Sequence, residues 1–112
     1  MLRQILNKMP EISRFLGIII KMKYDLKNIE YQHDYIYRVF FEDGTSGEVD
    51  FSNVVDSVKP YQLLLNLDLF KKAYIHPELK TLTWADDLDY DPIILYYKAN
   101  NIPFPASWGE IS

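Results

Sequence analysis

Cysteine is absent from the 112 residues. That removes disulfides, thiolate metal ligation and thiol catalysis, and it suits a reducing compartment, so a cytoplasmic location is expected. Histidine is scarce: His33 and His76 are the whole complement. They show no paired spacing of the HxxxH kind, so neither a zinc site nor a histidine-based triad is indicated. Long apolar runs are missing too. The longest candidate, Phe15 to Ile20, is bracketed by Arg14 and Lys21 and falls well short of the roughly 18–20 residues a membrane-spanning helix needs. The opening residues carry Glu11 and lack a small-residue cleavage site, so no signal peptide is expected. The 4 glycines form no phosphate-cradling loop, and the serines lie outside any nucleophile-elbow context.

What is present is apolar and aromatic: 48% of the residues are hydrophobic and 15% aromatic. That excludes a disordered chain. A chain of this size buries roughly two thirds of its unfolded surface, enough for one domain with a core that needs no staples. The net charge of −4 is unevenly spread. Residues 1–27 hold six basic and two acidic side chains, whereas residues 28–112 hold six basic and fourteen acidic ones. An acidic body repels phosphate, so a broad nucleic-acid surface is disfavoured. The basic segment is left to contact nucleic acid or its own acidic body.

Patterning along the chain predicts strands first, with short helices among and after them. In "GIIIKMKY" (17–24), Ile18, Ile20, Met22 and Tyr24 alternate with Ile19, Lys21 and Lys23, the period of a strand with one buried face. "NIEYQ" and "YIYRVFFE" flank His33-Asp34 as a two-residue turn, with Tyr35, Tyr37, Val39 and Phe41 on one face. Asp43-Gly44 is a second hairpin signal. Residues 29–51 therefore read as a three-stranded antiparallel meander. Ser52 is a candidate N-cap for "NVVDS", Lys59-Pro60 interrupts, and Asn66 is a candidate cap for "LDLFKKA". "YIHPELKTLTW" reads as a hairpin turning at Pro77-Glu78. Asp91-Pro92 opens a last, apolar helix, with Asp as cap and Pro in the first turn. The expected architecture is a single small α+β domain: a basic segment with one strand over 1–27, a core over 28–99, and an extended tail over 100–112 that carries prolines, Phe104 and Trp108.

The pieces "YQHDYIYRVFFEDGTSGEVDFSNVV", "LDLFKKAYIHPELKTLTW" and "LDYDPIILY" resemble, in order and spacing, the family called domain of unknown function 2442. The likeness covers about residues 28–97 and ends on Trp84, Asp89, Pro92, Leu95 and Tyr96. Members usually carry glycine where this chain has Lys80 and Asp87. The resemblance therefore implies positive φ at both positions, which Asp tolerates better than Lys. Some members continue into a helix-turn-helix, and none is visible in residues 100–112. The earlier stretch "MPEISRFLGIIIKMKYD" (9–25) resembles the start of another family, domain of unknown function 4160, but its histidine- and proline-rich continuation is absent. These two families have been suggested to form toxin–antitoxin-like pairs, and neither implies an established activity.

Four aspartates in "ADDLDYDP" invite a test for chemistry. As a calcium loop starting at Asp87, the sixth position is Pro92 and the twelfth Lys98, where the sharp-turn glycine and the bidentate glutamate belong. As an acid–base pair, one carboxyl needs a raised pKa beside one that stays ionised. Asp91 is already explained as a helix cap. Tyr31, Tyr35, Tyr37, Phe40 and Phe41 offer either a base-stacking platform or core, and Arg38 alone supplies positive charge between them, which favours core. "IILYYK" is apolar almost all round, so its helix needs cover on more than one side, from the tail's Ile102, Phe104 and Trp108 or from a partner.

No cofactor or metal is expected. The sequence points to a non-enzymatic interaction or regulatory module, antitoxin-like, that binds a protein partner or self-associates. Its candidate partner surface is Tyr96, Tyr97, Phe104, Trp108, Asp86 and Asp87. The alternative is nucleic-acid binding through the basic segment, with Arg14, Lys21, Lys23 and Lys27 as contacts. A metal-dependent enzyme built on Asp86, Asp87, Asp89 and Asp91 ranks behind both.

Overall fold

The computed structural model describes residues 23–108, apart from the side chain of Asp86. Most of the segment resembling domain of unknown function 4160, most of the 17–24 strand, Arg14 and Lys21 lie outside the described residues. Lys23 and Tyr24, which alternation placed in that strand, sit in a turn instead, because Tyr24 is drawn onto Tyr96 with ring centroids 5.0 Å apart.

The architecture is α+β. A first sheet comprises β1 (Leu26–His33), β2 (Ile36–Phe41) and β3 (Ser46–Asp50), antiparallel in the order β1-β2-β3. This is the expected meander. Alternation fixes the faces: Tyr37, Val39 and Phe41 of β2 and Val49 of β3 are buried, while Glu48 and Asp50 are exposed. The β1–β2 turn falls one residue later than the sequence indicates, on Asp34-Tyr35. A register shift between Tyr31 and His33 keeps His33 in the strand, and Asp34 takes φ +47°. At the β2–β3 turn Gly44 has φ +89°.

Helix α1 (Ser52–Ser57) follows. Ser52 is not its cap. It lies inside the first turn, and the Asp50 carboxylate accepts its backbone N–H at 2.9 Å, because Phe51 occupies the cap position with its ring in the core. A 3-10 stretch, Lys59–Leu65, leads to helix α2 (Leu67–Phe70), which Asn66 caps by accepting the N–H of Asp68. A second antiparallel sheet holds β4 (Tyr74–Ile75), β5 (Leu82–Trp84) and β6 (Leu88–Asp89) in the order β4-β5-β6. Between β4 and β5, His76 Nδ1 accepts the N–H groups of Glu78 and Leu79. Lys80 and Asp87 have φ of +56° and +55°, as the glycine positions imply. Helix α3 (Pro92–Ala99) is capped as expected, with Asp91 Oδ1 accepting the N–H of Ile93 and Ile94.

Phe70 sits at the middle of the core. The rings of Tyr31, Tyr35, Tyr37, Phe51 and Trp84 surround it with centroids 5.1 to 6.2 Å away. Its carbonyl, at the end of α2 where no intrahelical donor follows, accepts from the Tyr37 hydroxyl at 2.8 Å and the Trp84 indole at 2.9 Å. Four of the five strand aromatics therefore serve the core. Phe40 points to the opposite face beside Arg38, so these five rings do not form a single stacking platform. Among the described residues, no helix is long and apolar enough to cross a membrane.

Candidate functional site

Helix α3 lies across the inner side of β3, and the closeness of that approach depends on one residue. A Cβ on Gly47 would stand 1.9 Å from the carbonyl oxygen of Ala99. Glycine thus sets the depth at which α3 seats. Leu95, Tyr96 and Ala99 then face inward. Tyr96 is buried against Phe41, and its hydroxyl donates to Asp43 Oδ2 at 2.6 Å. Tyr96 is therefore part of the interior and leaves the expected partner surface. Burial works to raise the Asp43 pKa, but hydrogen bonds from Tyr96 and Thr45 and the charge of Lys23 outweigh it, so the carboxyl is held below its ordinary value. The same bond, followed by burial, raises the Tyr96 pKa.

The other side of α3 faces a groove of about 450 Å³. Its walls include Glu48 and Asp50 of β3, Asn53 of α1, and Tyr97, Asn101 and Phe104. Tyr97 is half-buried because the tail turns back over it. Phe104 stacks on its ring at 6.2 Å, and Trp108, in the 3-10 turn Ala106–Trp108, lies at 5.0 Å. Phe104 and Trp108 are themselves 5.7 Å apart. Three of the expected partner-surface residues are thus brought together as an aromatic ledge beside the groove, with Ile102 exposed next to it. Lys98 also lines the groove. Its amine donates to the Tyr90 hydroxyl at 2.7 Å, and burial lowers its pKa. Burial raises that of Tyr90.

The aspartates go elsewhere. Asp91 is committed to capping α3. Asp87 is exposed and lies 3.5 Å from the Tyr74 hydroxyl. Asp89 is exposed, and its backbone carbonyl accepts from Tyr61. Among the described residues, no group of three His, Asp or Glu side chains is placed to hold a metal ion. Of the basic contacts, Lys23 sits over the rings of Tyr24 and Tyr96 at 5.2 and 5.3 Å, and Lys27 is exposed on β1. Residues that sequence reasoning did not single out are Glu48, Asp50, Asn53 and Asn101. Alternation along β3 marks the first two as outward-facing, but only the return of α3 and the tail makes them walls of a groove.

A family model described as protein of unknown function (DUF2442) matches residues 26–101. The chain belongs to this family. Among solved structures, a crystal structure from Nitrosomonas europaea ATCC 19718, named "Putative DNA Binding Protein NE0471", is similar with a TM-score of 0.62 and 20% identity. The likeness covers 79% of this chain and 53% of that one, so the DUF2442 chain spans about half the length of that protein. At this identity the similarity shows the fold alone. No curated protein matches.

Proposed function

We propose that this DUF2442 chain is a non-enzymatic interaction module that recognises a protein partner, in an antitoxin-like or other regulatory role within the cytoplasm. One observation carries the reading. Tyr97, packed against the rim of the main core, joins Phe104 and Trp108 in a contiguous aromatic ledge alongside an open groove. Clustered aromatics at the surface are the usual anchors of protein interfaces. The segment resembling domain of unknown function 4160 fits a chain that works beside a partner of that kind.

The test is quantitative affinity purification from the native host with the full chain and with the Phe104→Ala/Trp108→Ala double variant. A discrete partner that the wild type enriches and the folded double variant loses supports the reading. Equal enrichment by both removes the ledge from it, and a chain with neither a partner nor self-association ends it.

A second reading, nucleic-acid binding through the basic residues of 1–27, is favoured by the name of the Nitrosomonas europaea protein. It requires affinity for mixed-sequence DNA that falls steeply as salt rises. The absence of a complex at low salt would sink it.

A further inference from the structure

β3 is an edge strand of the first sheet, and the parity of its pairing decides which backbone groups stay open. Phe41 N–H donates to Thr45 O at 2.9 Å, and Phe51 N–H donates to Tyr35 O at 2.7 Å. With the register Val39 to Gly47 and Tyr37 to Val49, the odd-numbered residues exchange bonds with β2. The N–H and C=O groups of Ser46, Glu48 and Asp50 therefore point away from β2. Among the described residues, no hydrogen bond satisfies them. Glu48 and Asp50 also form one wall of the 450 Å³ groove whose opposite wall is Tyr97, Asn101 and Phe104.

An open edge with a groove along it matches the geometry of strand addition, in which an extended peptide pairs with the edge and its alternate side chains enter the groove. Charge selects the occupant. Two carboxylates flank the edge: Glu48, which meets Arg38 of β2 in an exposed contact of 3.5 Å, and Asp50, whose one oxygen accepts the Ser52 N–H. Lys98 also lines the groove, with its amine donating to the Tyr90 hydroxyl. Residues 28–112 as a whole carry fourteen acidic against six basic side chains. A second copy pairing edge to edge would set Glu48 and Asp50 against their own counterparts, which is repulsive. A lysine or arginine, by contrast, finds carboxylates along the edge and the aromatic side chains of Tyr97 and Phe104 in the lining of the same groove.

We infer that the β3 edge is a strand-addition site for an extended, basic peptide segment of a partner protein. This rests on the interaction-module reading and specifies its mode. The edge, rather than the ledge alone, carries the backbone contacts.

The experiment pans a phage-displayed random peptide library on the full chain, then titrates synthetic versions of the enriched peptides. Lys- or Arg-containing peptides should be enriched, and they should shift the backbone amides of Ser46, Glu48 and Asp50. Glu48→Pro removes an outward N–H without touching the β2 ladder and should weaken binding about tenfold, the worth of roughly one hydrogen bond. Glu48→Lys, which leaves the backbone intact, should weaken it through charge and decides the matter if the proline variant fails to fold. Failure to enrich peptides, or peptides that bind both folded variants as tightly as the wild type, overturns the inference. So does a wild-type dimer that Glu48→Lys dissolves, since the occupant is then a second copy. Enriched peptides that perturb only Tyr97, Phe104 and Trp108 overturn the strand mode while leaving the interaction module standing.

Discussion

Lys80 shows how a single residue can hold strain. It sits at φ +56°, yet its carbonyl accepts from Leu26 N–H at 2.8 Å and its own N–H donates to His76 O at 2.9 Å. Left-handed backbone costs a residue with a Cβ roughly 1–2 kcal/mol, and glycine gives back about 0.5–1 kcal/mol of that through its freer unfolded state. The relief is larger, so Lys80→Gly should stabilise the protein by about 0.5–1 kcal/mol in urea unfolding. The Tyr96–Asp43 bond makes a second prediction. Tyr96→Phe should cost about 1 kcal/mol at neutral pH. A carboxyl whose folded pKa is depressed contributes stability above its unfolded value and loses it as pH falls through the folded one. The gap in melting temperature between wild type and Tyr96→Phe should therefore be full above the ordinary 3.8 and shrink below it.

Elements meet here through backbone as much as side chain. α3 rests on β3 at Gly47, where the nearest obstacle to a methyl group is main-chain carbonyl that cannot swing aside. Gly47→Ala should cost about 3 kcal/mol or more, at the upper end of what overpacking does, because either the helix or the strand has to move. Gly44→Ala makes the control. Nothing lies within 4 Å of its added Cβ, so only the φ of +89° opposes it, and the cost should stay near 1–2 kcal/mol. Chemical denaturation of both variants checks the order. A Gly47→Ala protein as stable as Gly44→Ala would mean that α3 is not seated this closely. The groove belongs to the same scale, since the depth at which α3 seats also sets the distance from its tail to the β3 edge.

Over the whole molecule, ionisable aromatics link folding to alkaline pH. Burial, first of all, raises the pKa of Tyr37, Tyr61 and Tyr90, and the bond to Asp43 raises that of Tyr96. A raised phenol contributes stability that is fully present below its ordinary 10.0 and is lost as pH rises through the folded value. Lys98, with its pKa lowered by burial, works in the opposite sense, but among the described residues it is one group against four. The melting temperature should fall steadily above pH 10 as tyrosinate absorbance grows; a flat profile would mean that these hydroxyls ionise in the fold as readily as in the unfolded chain. The sequence by itself determined the meander, the Asp43-Gly44 turn and the Asn66 and Asp91 caps, because each depends on a period of two or on backbone preferences within a few residues. The positive φ at Lys80 and Asp87 was implied only by the resemblance to a family that carries glycine there. The sequence misplaced the first turn by one residue and the first helix cap, because the inward pull on Tyr35 and Phe51 comes from Phe70, distant in the chain. Only the tertiary structure decided that Tyr96 lies inside, that Tyr97 meets Phe104 and Trp108, and that Glu48 and Asp50 line a groove. Those facts arise where β3, α3 and the tail converge, and a contact between residues some fifty positions apart leaves no trace in the spacing of either one.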